Sequence, residues 1–213
     1  MIKLKEHIEE KGYYITKVDS QKEFIKLCNS LGDFSENRLG DNKLKLLKPL
    51  DKSEANSKSL SSIYGLEAFP FHTDGAHKLV PPRYLAFRYI GNCESPEPTL
   101  LIDFKSIQLT SDEDYFVNNR IWKVDDGVKV LYRSIKDKER NMIRYDLGCM
   151  KLLDEKQEDE RVLTNLIDQC DITSISWELN KTMIIDNWRL LHSRPRISEK
   201  NKEKRILQRL NII

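Results

Sequence analysis

Two short stretches carry side chains that could do chemistry. One is Phe71-His72-Thr73-Asp74-Gly75; the other, far along the chain, is Asp186-Asn187-Trp188-Arg189-Leu190-Leu191-His192-Ser193-Arg194. In an extended strand, residues two apart share a face, so His72 and Asp74 can grip one ion while His192 completes the set from a distant strand. Two imidazoles and one carboxylate on one side of a divalent ion leave the opposite side open, a ligand set suited to non-heme Fe(II) oxygen chemistry. A His and an Asp two apart are common in proteins, and here the setting adds meaning. Ala68-Phe69-Pro70-Phe71 leads into the pair, Gly75 follows it, and Met183-Ile184-Ile185 runs as an apolar strand into the turn before His192.

Beyond His192 lies Arg205-Ile206-Leu207-Gln208-Arg209-Leu210-Asn211-Ile212. Strand alternation puts Arg205, Leu207 and Arg209 on one face. A buried arginine calls for an anion, because an unpaired charge in a low-dielectric interior costs several kcal/mol or more. The guanidinium fork matches a carboxylate in a way that lysine does not.

This combination of HxD, distal His and following Arg resembles the taurine dioxygenase and clavaminate synthase-like Fe(II)/2-oxoglutarate oxygenases. The resemblance spans the chain from about Gly12 to the C-terminus, and its tail motif is the most specific part. It implies a double-stranded β-helix, or jelly roll, with Fe(II) held by His72, Asp74 and His192. It implies that Arg205 pairs with the far carboxylate of 2-oxoglutarate, and that Thr99, opening Thr99-Leu100-Leu101-Ile102-Asp103-Phe104, lends its hydroxyl there. Arg209 resembles the second family arginine, near the substrate or the other end of the cosubstrate. The implied reaction consumes O2 and 2-oxoglutarate, releases succinate and CO2, and hydroxylates a small polar or anionic substrate, an amino acid or natural-product intermediate. Asp74 stands where halogenating relatives have a small residue, which favours hydroxylation. The rivals are a hydroxylase of protein or peptide side chains and a non-catalytic jelly-roll binding module.

Among other arginines that could line a pocket (Arg83, Arg88, Arg133, Arg194, Arg196), Arg144 in Met142-Ile143-Arg144-Tyr145-Asp146 is the strongest substrate-binding candidate, because its strand has apolar neighbours. Tyr64 and His77 flank the HxD segment, one as packing and the other as a surface residue. Trp122, Trp177 and Trp188 read as core fillers.

The elements that must position these groups are mostly strands. Gly12 to Val18, Phe69 to Asp74, Arg83 to Ile90, Thr99 to Ile107, Val128 to Ser134, Met142 to Asp146, Ser174 to Leu179, Thr182 to Asp186 and Arg205 to Ile212 carry the strand signals. Ser20 and Glu23 form a capping-box signal for a helix to about Leu31, with Phe24, Ile25, Leu27, Cys28 and Leu31 on its apolar stripe. Thr110 and Glu113 cap a short helix across Glu113 to Asn119, and Val162, Leu163, Leu166 and Ile167 mark another across Glu158 to Cys170. Many strands without strand-helix alternation predict a mainly β sandwich or barrel with flanking helices. Residues 41–62 turn to Lys, Ser, Asn and Asp, with a short strand at Leu44 to Leu47, and are expected to form a mobile loop or lid.

At 213 residues the expectation is one domain, 1–213. A net charge of +2 gives no bulk attraction for nucleic acid or membrane. The Lys-rich run from Lys43 to Lys58 lacks the interleaved aromatics of a single-strand binder. No apolar run reaches membrane-spanning length, and the first residues lack a secretory signal pattern. Cys28, Cys93, Cys149 and Cys170 form no CxxC pair, so reduced thiols and a cytoplasmic location are expected. Oligomeric state is not encoded in any motif.

Overall fold

The computed structural model describes residues 2–36, 40, 42–57, 59–153 and 157–213. Two antiparallel sheets face each other. The larger contains β1 (Tyr13–Lys17), β2 (Phe34–Ser35), β3 (Lys45–Leu47), β5 (Tyr84–Tyr89), β13 (Lys181–Asp186) and β15 (Leu207–Ile212), ordered β1-β13-β5-β15-β2 with β3 also pairing β15. The smaller is ordered β12-β6-β14-β4, from β12 (Thr173–Ile175), β6 (Thr99–Asp103), β14 (Leu190–Arg194) and β4 (Phe69–His72). A third sheet of β7 (Trp122–Asp125), β8 (Val130–Arg133) and β11 (Met150–Leu152) and a hairpin of β9 (Lys136–Asp137) and β10 (Met142–Ile143) flank it.

Alternation along the strands sorts the apolar side chains into three cores. Leu85, Phe87 and Tyr89 of β5, Met183 and Ile185 of β13 and Leu207 of β15 meet Leu101, Leu190, Ile175 and Trp177 between the two sheets. The opposite face of the large sheet, Tyr84, Ala86, Ile184, Leu210 and Ile212, is covered by helices α1 (Ile2–Lys11) and α2 (Gln21–Asn29) through Leu4, Ile8, Phe24 and Cys28. The outer face of the small sheet, including Ile102 and Leu191, packs under the third sheet and helices α4 (Ser111–Asn119) and α5 (Gln157–Asp168). The chain is therefore mainly β with helices outside, as the strand signals imply.

Both capping boxes form. Glu23 N–H donates to Ser20 Oγ at 3.2 Å while Ser20 N–H donates to Glu23 Oε2 at 3.2 Å, and Thr110 and Glu113 repeat the exchange. Several elements depart from the sequence reading. Helix α1 was not anticipated; Leu4 and Ile8, one turn apart, are its buried contacts. The strand expected to run to Ile107 stops at Asp103, whose carboxylate accepts the Lys105 N–H at 3.0 Å and starts a 3-10 turn. Met142 to Asp146 is ladder-paired only at its first two residues. Within 41–62 the short strand expected at Leu44 to Leu47 does form, as β3 hydrogen-bonded to β15, and the departure is α3 (Leu60–Tyr64), which closes the segment. Positions 41 and 58 of that stretch lie outside the described residues.

Candidate metal centre

Strand register brings the two histidines together. His72 is the direct partner of His192 across β4 and β14, and His192 is in turn opposite Leu101 of β6. The two imidazole centroids are 4.3 Å apart. Across the sandwich, the Phe87 ring of the large sheet is 6.2 Å from His192. Asp74 lies two residues past the end of β4, and its Oδ1 is 3.6 Å from His72 Nε2 and 3.9 Å from His192 Nε2. One ligand atom from each of the three falls within 4.8 Å of the others.

The chain bends after His72 for identifiable reasons. Asn187, fully buried in the turn after β13, accepts the Asp74 N–H at 2.9 Å and donates to the Asp74 carbonyl at 3.0 Å and the Pro82 carbonyl at 2.9 Å. Gly75 has φ +72°, and a Cβ there would meet Pro82 Cδ at 2.9 Å, so a side chain would be both strained and crowded. Thr73 N–H donates to the Tyr145 carbonyl at 2.7 Å, and Tyr145 N–H donates back to Thr73 Oγ1 at 3.0 Å.

Each donor fits a divalent cation. His72 Nδ1 contacts the Pro70 carbonyl at 2.9 Å, which favours the tautomer with Nδ1 protonated and leaves the Nε2 lone pair for the ion. His192 is buried; its Nε2 is the nitrogen turned toward Asp74, and its Nδ1 has no hydrogen-bond partner among the described residues. Burial, then the charge of His72, pushes His192 down to about 3. For His72, burial works against the charged form, but the hydrogen bond and charge of Asp74 raise it overall. Burial would also raise Asp74; Arg209, then His72 and His192, hold it well below the usual carboxylate range. Arg209 Nη1 donates to Asp74 Oδ2 at 2.5 Å, which leaves Oδ1 turned to the histidines.

Arg205, just before β15, and Thr99, at the start of β6, are linked through Glu97, two residues before Thr99. The Arg205 side chain is buried and donates from Nε to the Glu97 carbonyl at 3.2 Å. The Glu97 carboxylate is taken up by Ser198 N–H and Oγ and by Asn201 Nδ2, so among the described residues no carboxylate comes within 4.0 Å of the Arg205 guanidinium. Burial lowers its pKa, partly offset by Glu97. Thr99 Oγ1 accepts the Trp177 indole N–H at 3.1 Å, which leaves the hydroxyl proton to donate elsewhere. Trp177 stacks on Tyr89, whose cross-strand partner is Leu207 of β15.

Other arginines are engaged elsewhere. Arg144 is buried with its guanidinium on the carbonyls of Ala76, Lys78 (2.5 Å) and Leu79 (3.0 Å), directly after the HxD segment. Arg88 faces outward to Val18, Asp19, Asn180 and Gln208. Arg194 bonds the Gly65 and Leu66 carbonyls and lies 3.7 Å over the Phe69 ring. A cleft of about 540 Å³ opens beside the Asp186–Arg189 turn, but none of the three convergent ligands lines it.

Asn187 and Asp146 are the residues whose place here sequence reasoning missed. Asn187 sat inside the quoted motif without a role, and a polar residue ending an apolar strand was its one signal. Asp146 follows the residue tied to Thr73, a proximity made by tertiary contacts alone.

No family model and no curated protein sequence matches this chain. Solved structures do. Non-heme iron oxygenase OrfP, with Fe, succinate and (3S)-hydroxy-L-Arg, is 14% identical with a TM-score of 0.74 over 99% of this chain and 79% of that one. An asparagine oxygenase with Fe(II), 2S,3S-3-hydroxyasparagine and succinate is 11% identical, TM-score 0.77, over 100% and 78%. PvcB from Pseudomonas aeruginosa is 14% identical, TM-score 0.74, over 99% and 79%. This chain shares the fold of these non-heme iron oxygenases.

Proposed function

We propose that this protein is an Fe(II)- and 2-oxoglutarate-dependent dioxygenase that hydroxylates a small polar substrate. The overall reaction is substrate C–H plus 2-oxoglutarate plus O2 to C–OH plus succinate plus CO2. One observation carries the reading: among the described residues His72, Asp74 and His192 converge within reach of a single ion, and the buried Arg205 has no carboxylate within 4.0 Å. The two facing sheets support a double-stranded β-helix of the taurine dioxygenase and clavaminate synthase-like kind.

In this reading His72, Asp74 and His192 hold the iron, and Arg205 with the Thr99 hydroxyl receives the far carboxylate of 2-oxoglutarate. When bound, iron and cosubstrate supply the oxidising power, with decarboxylation providing the two electrons that O2 needs beyond those of the substrate C–H bond. The chain's own contribution is placement. Asn187 fixes the backbone of Asp74, the Pro70 carbonyl sets the His72 tautomer, and Arg209 occupies the outer oxygen of Asp74 so that one oxygen serves the ion. Arg209 thus belongs to the ligand arrangement, and Arg144 to the loop over it. Phe87, Leu101 and Leu207 give the site an apolar wall that keeps water from the reacting carbon.

OrfP and the asparagine oxygenase hold hydroxylated amino acids, which supports an amino acid or a close derivative as substrate. Four cysteines without a disulfide fit a reducing compartment, and we place the enzyme in the cytoplasm as a single domain. No helix among the described residues is long and apolar enough to cross a membrane.

The test is anaerobic titration. Fe(II) with 2-oxoglutarate is expected to give a weak visible charge-transfer band that His72→Ala and His192→Ala abolish. Absence of the band from the wild-type protein at saturating ligand overturns the reading.

A further inference from the structure

The extended run from Met142 to Asp146 passes beside the HxD segment. Ile143 and Tyr145 belong to the outer core, so alternation turns Arg144 and Asp146 the other way. The two bonds between Thr73 and Tyr145 lock this register, which puts Asp146 immediately after the residue tied to the centre of the motif. Its carboxylate acts electrostatically on His72, Asp74, His77 and Tyr64.

Asp146 differs from most buried or half-buried acids in this protein. Asp74 has Arg209, Asp103 has Arg189, and Asp137 has Arg140, each within 3.1 Å. Among the described residues no arginine or lysine comes within 4.0 Å of Asp146. Its Oδ1 accepts the Gly148 N–H at 2.8 Å, an ordinary turn contact, and the carboxylate also takes a hydrogen bond from the Cys149 thiol; neither partner brings a positive charge. Burial pushes its carboxyl up, and the charge of His72 relieves that only in part. A half-buried carboxylate beside metal ligands, without a cation of its own, is suited to receiving one from outside.

We propose that Asp146 is the specificity-determining anchor of the substrate pocket, and that the substrate presents a protonated amine or guanidinium to it. The proposal rests on the oxygenase reading and sharpens it. The sequence-based expectation allowed an anionic substrate because of Arg209 and the family resemblance, but the Arg209 guanidinium, like that of the other candidate Arg144, is bonded within the protein. Asp146, a carboxylate that acts on His72 and has no cation within 4.0 Å among the described residues, selects for positive charge.

The experiment is calorimetric titration of protein loaded with Mn(II) and N-oxalylglycine, so that neither iron nor turnover enters. The probes are pairs matched in size and differing in charge: L-arginine with L-citrulline, and L-lysine with L-norleucine. At least one charged member is expected to bind about tenfold tighter or more than its neutral partner. Asp146→Asn keeps the acceptor for Gly148 and removes the charge, and should erase that preference. Asp146→Glu should retain part of it, which a purely structural role would not produce. The proposal is overturned if the neutral member of both pairs binds as tightly as the charged one, if neither charged probe binds at high millimolar concentration, or if the preference survives in Asp146→Asn. Failure of the oxygenase reading would show separately, as a missing Fe(II)/2-oxoglutarate band.

Discussion

Asn187 holds both the N–H and the carbonyl of Asp74 through its side-chain amide, from 113 residues further along the chain. A third bond, to the Pro82 carbonyl, completes the use of the amide and fixes its orientation. The position of the Asp74 carboxylate is therefore set by a residue outside the proposed ligand set.

Asn187→Ala leaves one buried donor and two carbonyls to find new partners, at about 1–3 kcal/mol for a group left unsatisfied. We expect a clear fall in melting temperature, and a drop in Mn(II) affinity of about tenfold or more, the size of effect known for residues that orient metal ligands. Asn187→Asp retains the acceptor and should fall between. Wild-type Mn(II) affinity in the alanine variant would show that Asp74 needs no such support.

Arg205→Lys keeps the positive charge and loses the fork. It should raise the 2-oxoglutarate concentration needed for half-saturation by about tenfold or more while leaving Mn(II) affinity unchanged. Thr99→Val should act in the same direction and less strongly. Unchanged cosubstrate binding in Arg205→Lys would remove that residue from the cosubstrate site.

Arg144→Met should act on the chain after Asp74 and leave substrate selectivity alone. The carbonyls of Ala76, Lys78 and Leu79 lose their shared donor, so a loss of about 3 kcal/mol and faster proteolytic cleavage near residues 76–80 are expected. Limited proteolysis with mass mapping reads this directly. A variant that resists cleavage like the wild type but shifts the arginine-to-citrulline preference would restore Arg144 to the substrate pocket.

Asp186 gives a pH-dependent test. Burial raises its carboxyl, while the Trp188 N–H at 3.0 Å and Arg83 at 3.8 Å offset only part of that. A carboxyl whose folded pKa exceeds the unfolded one favours folding below the unfolded value, and that contribution is lost as pH rises through the folded pKa. Asp186→Asn keeps the acceptor for Trp188 and removes the charge. It should be more stable than the wild type at pH 7, with the difference shrinking toward pH 4. Thermal melts at both values decide it, and an equal or larger gain at pH 4 contradicts the account.

The parts legible in the sequence are those governed by short spacing. The Ser20 and Thr110 capping boxes depend on helix geometry over a few residues, and His72 lies at the end of the strand expected there, whereas Asp74 and Arg205 lie just outside the strands β4 and β15. What could not be read depends on contacts between distant segments. Nothing local says that Asn187 reaches Asp74, that Tyr145 ties to Thr73, or that Arg144 serves backbone carbonyls. The apolar neighbours of Arg144 correctly signalled burial, and burial alone does not distinguish a ligand contact from a structural one. Helix α1 was missed because Leu4 and Ile8 are a sparse stripe in a strongly charged segment, and the sheet it covers supplies the reason for its form.

The pairing of His72 with His192 across β4 and β14 has a consequence for how the molecule matures. Because successive side chains alternate between faces, a slip of one residue between these strands would turn one imidazole away from the other. If the proposed ligand set holds a divalent ion, its uptake would act as a proofreading step for strand alignment: chains closed out of register would not retain the metal, and those closed correctly would gain an extra hold on the native arrangement.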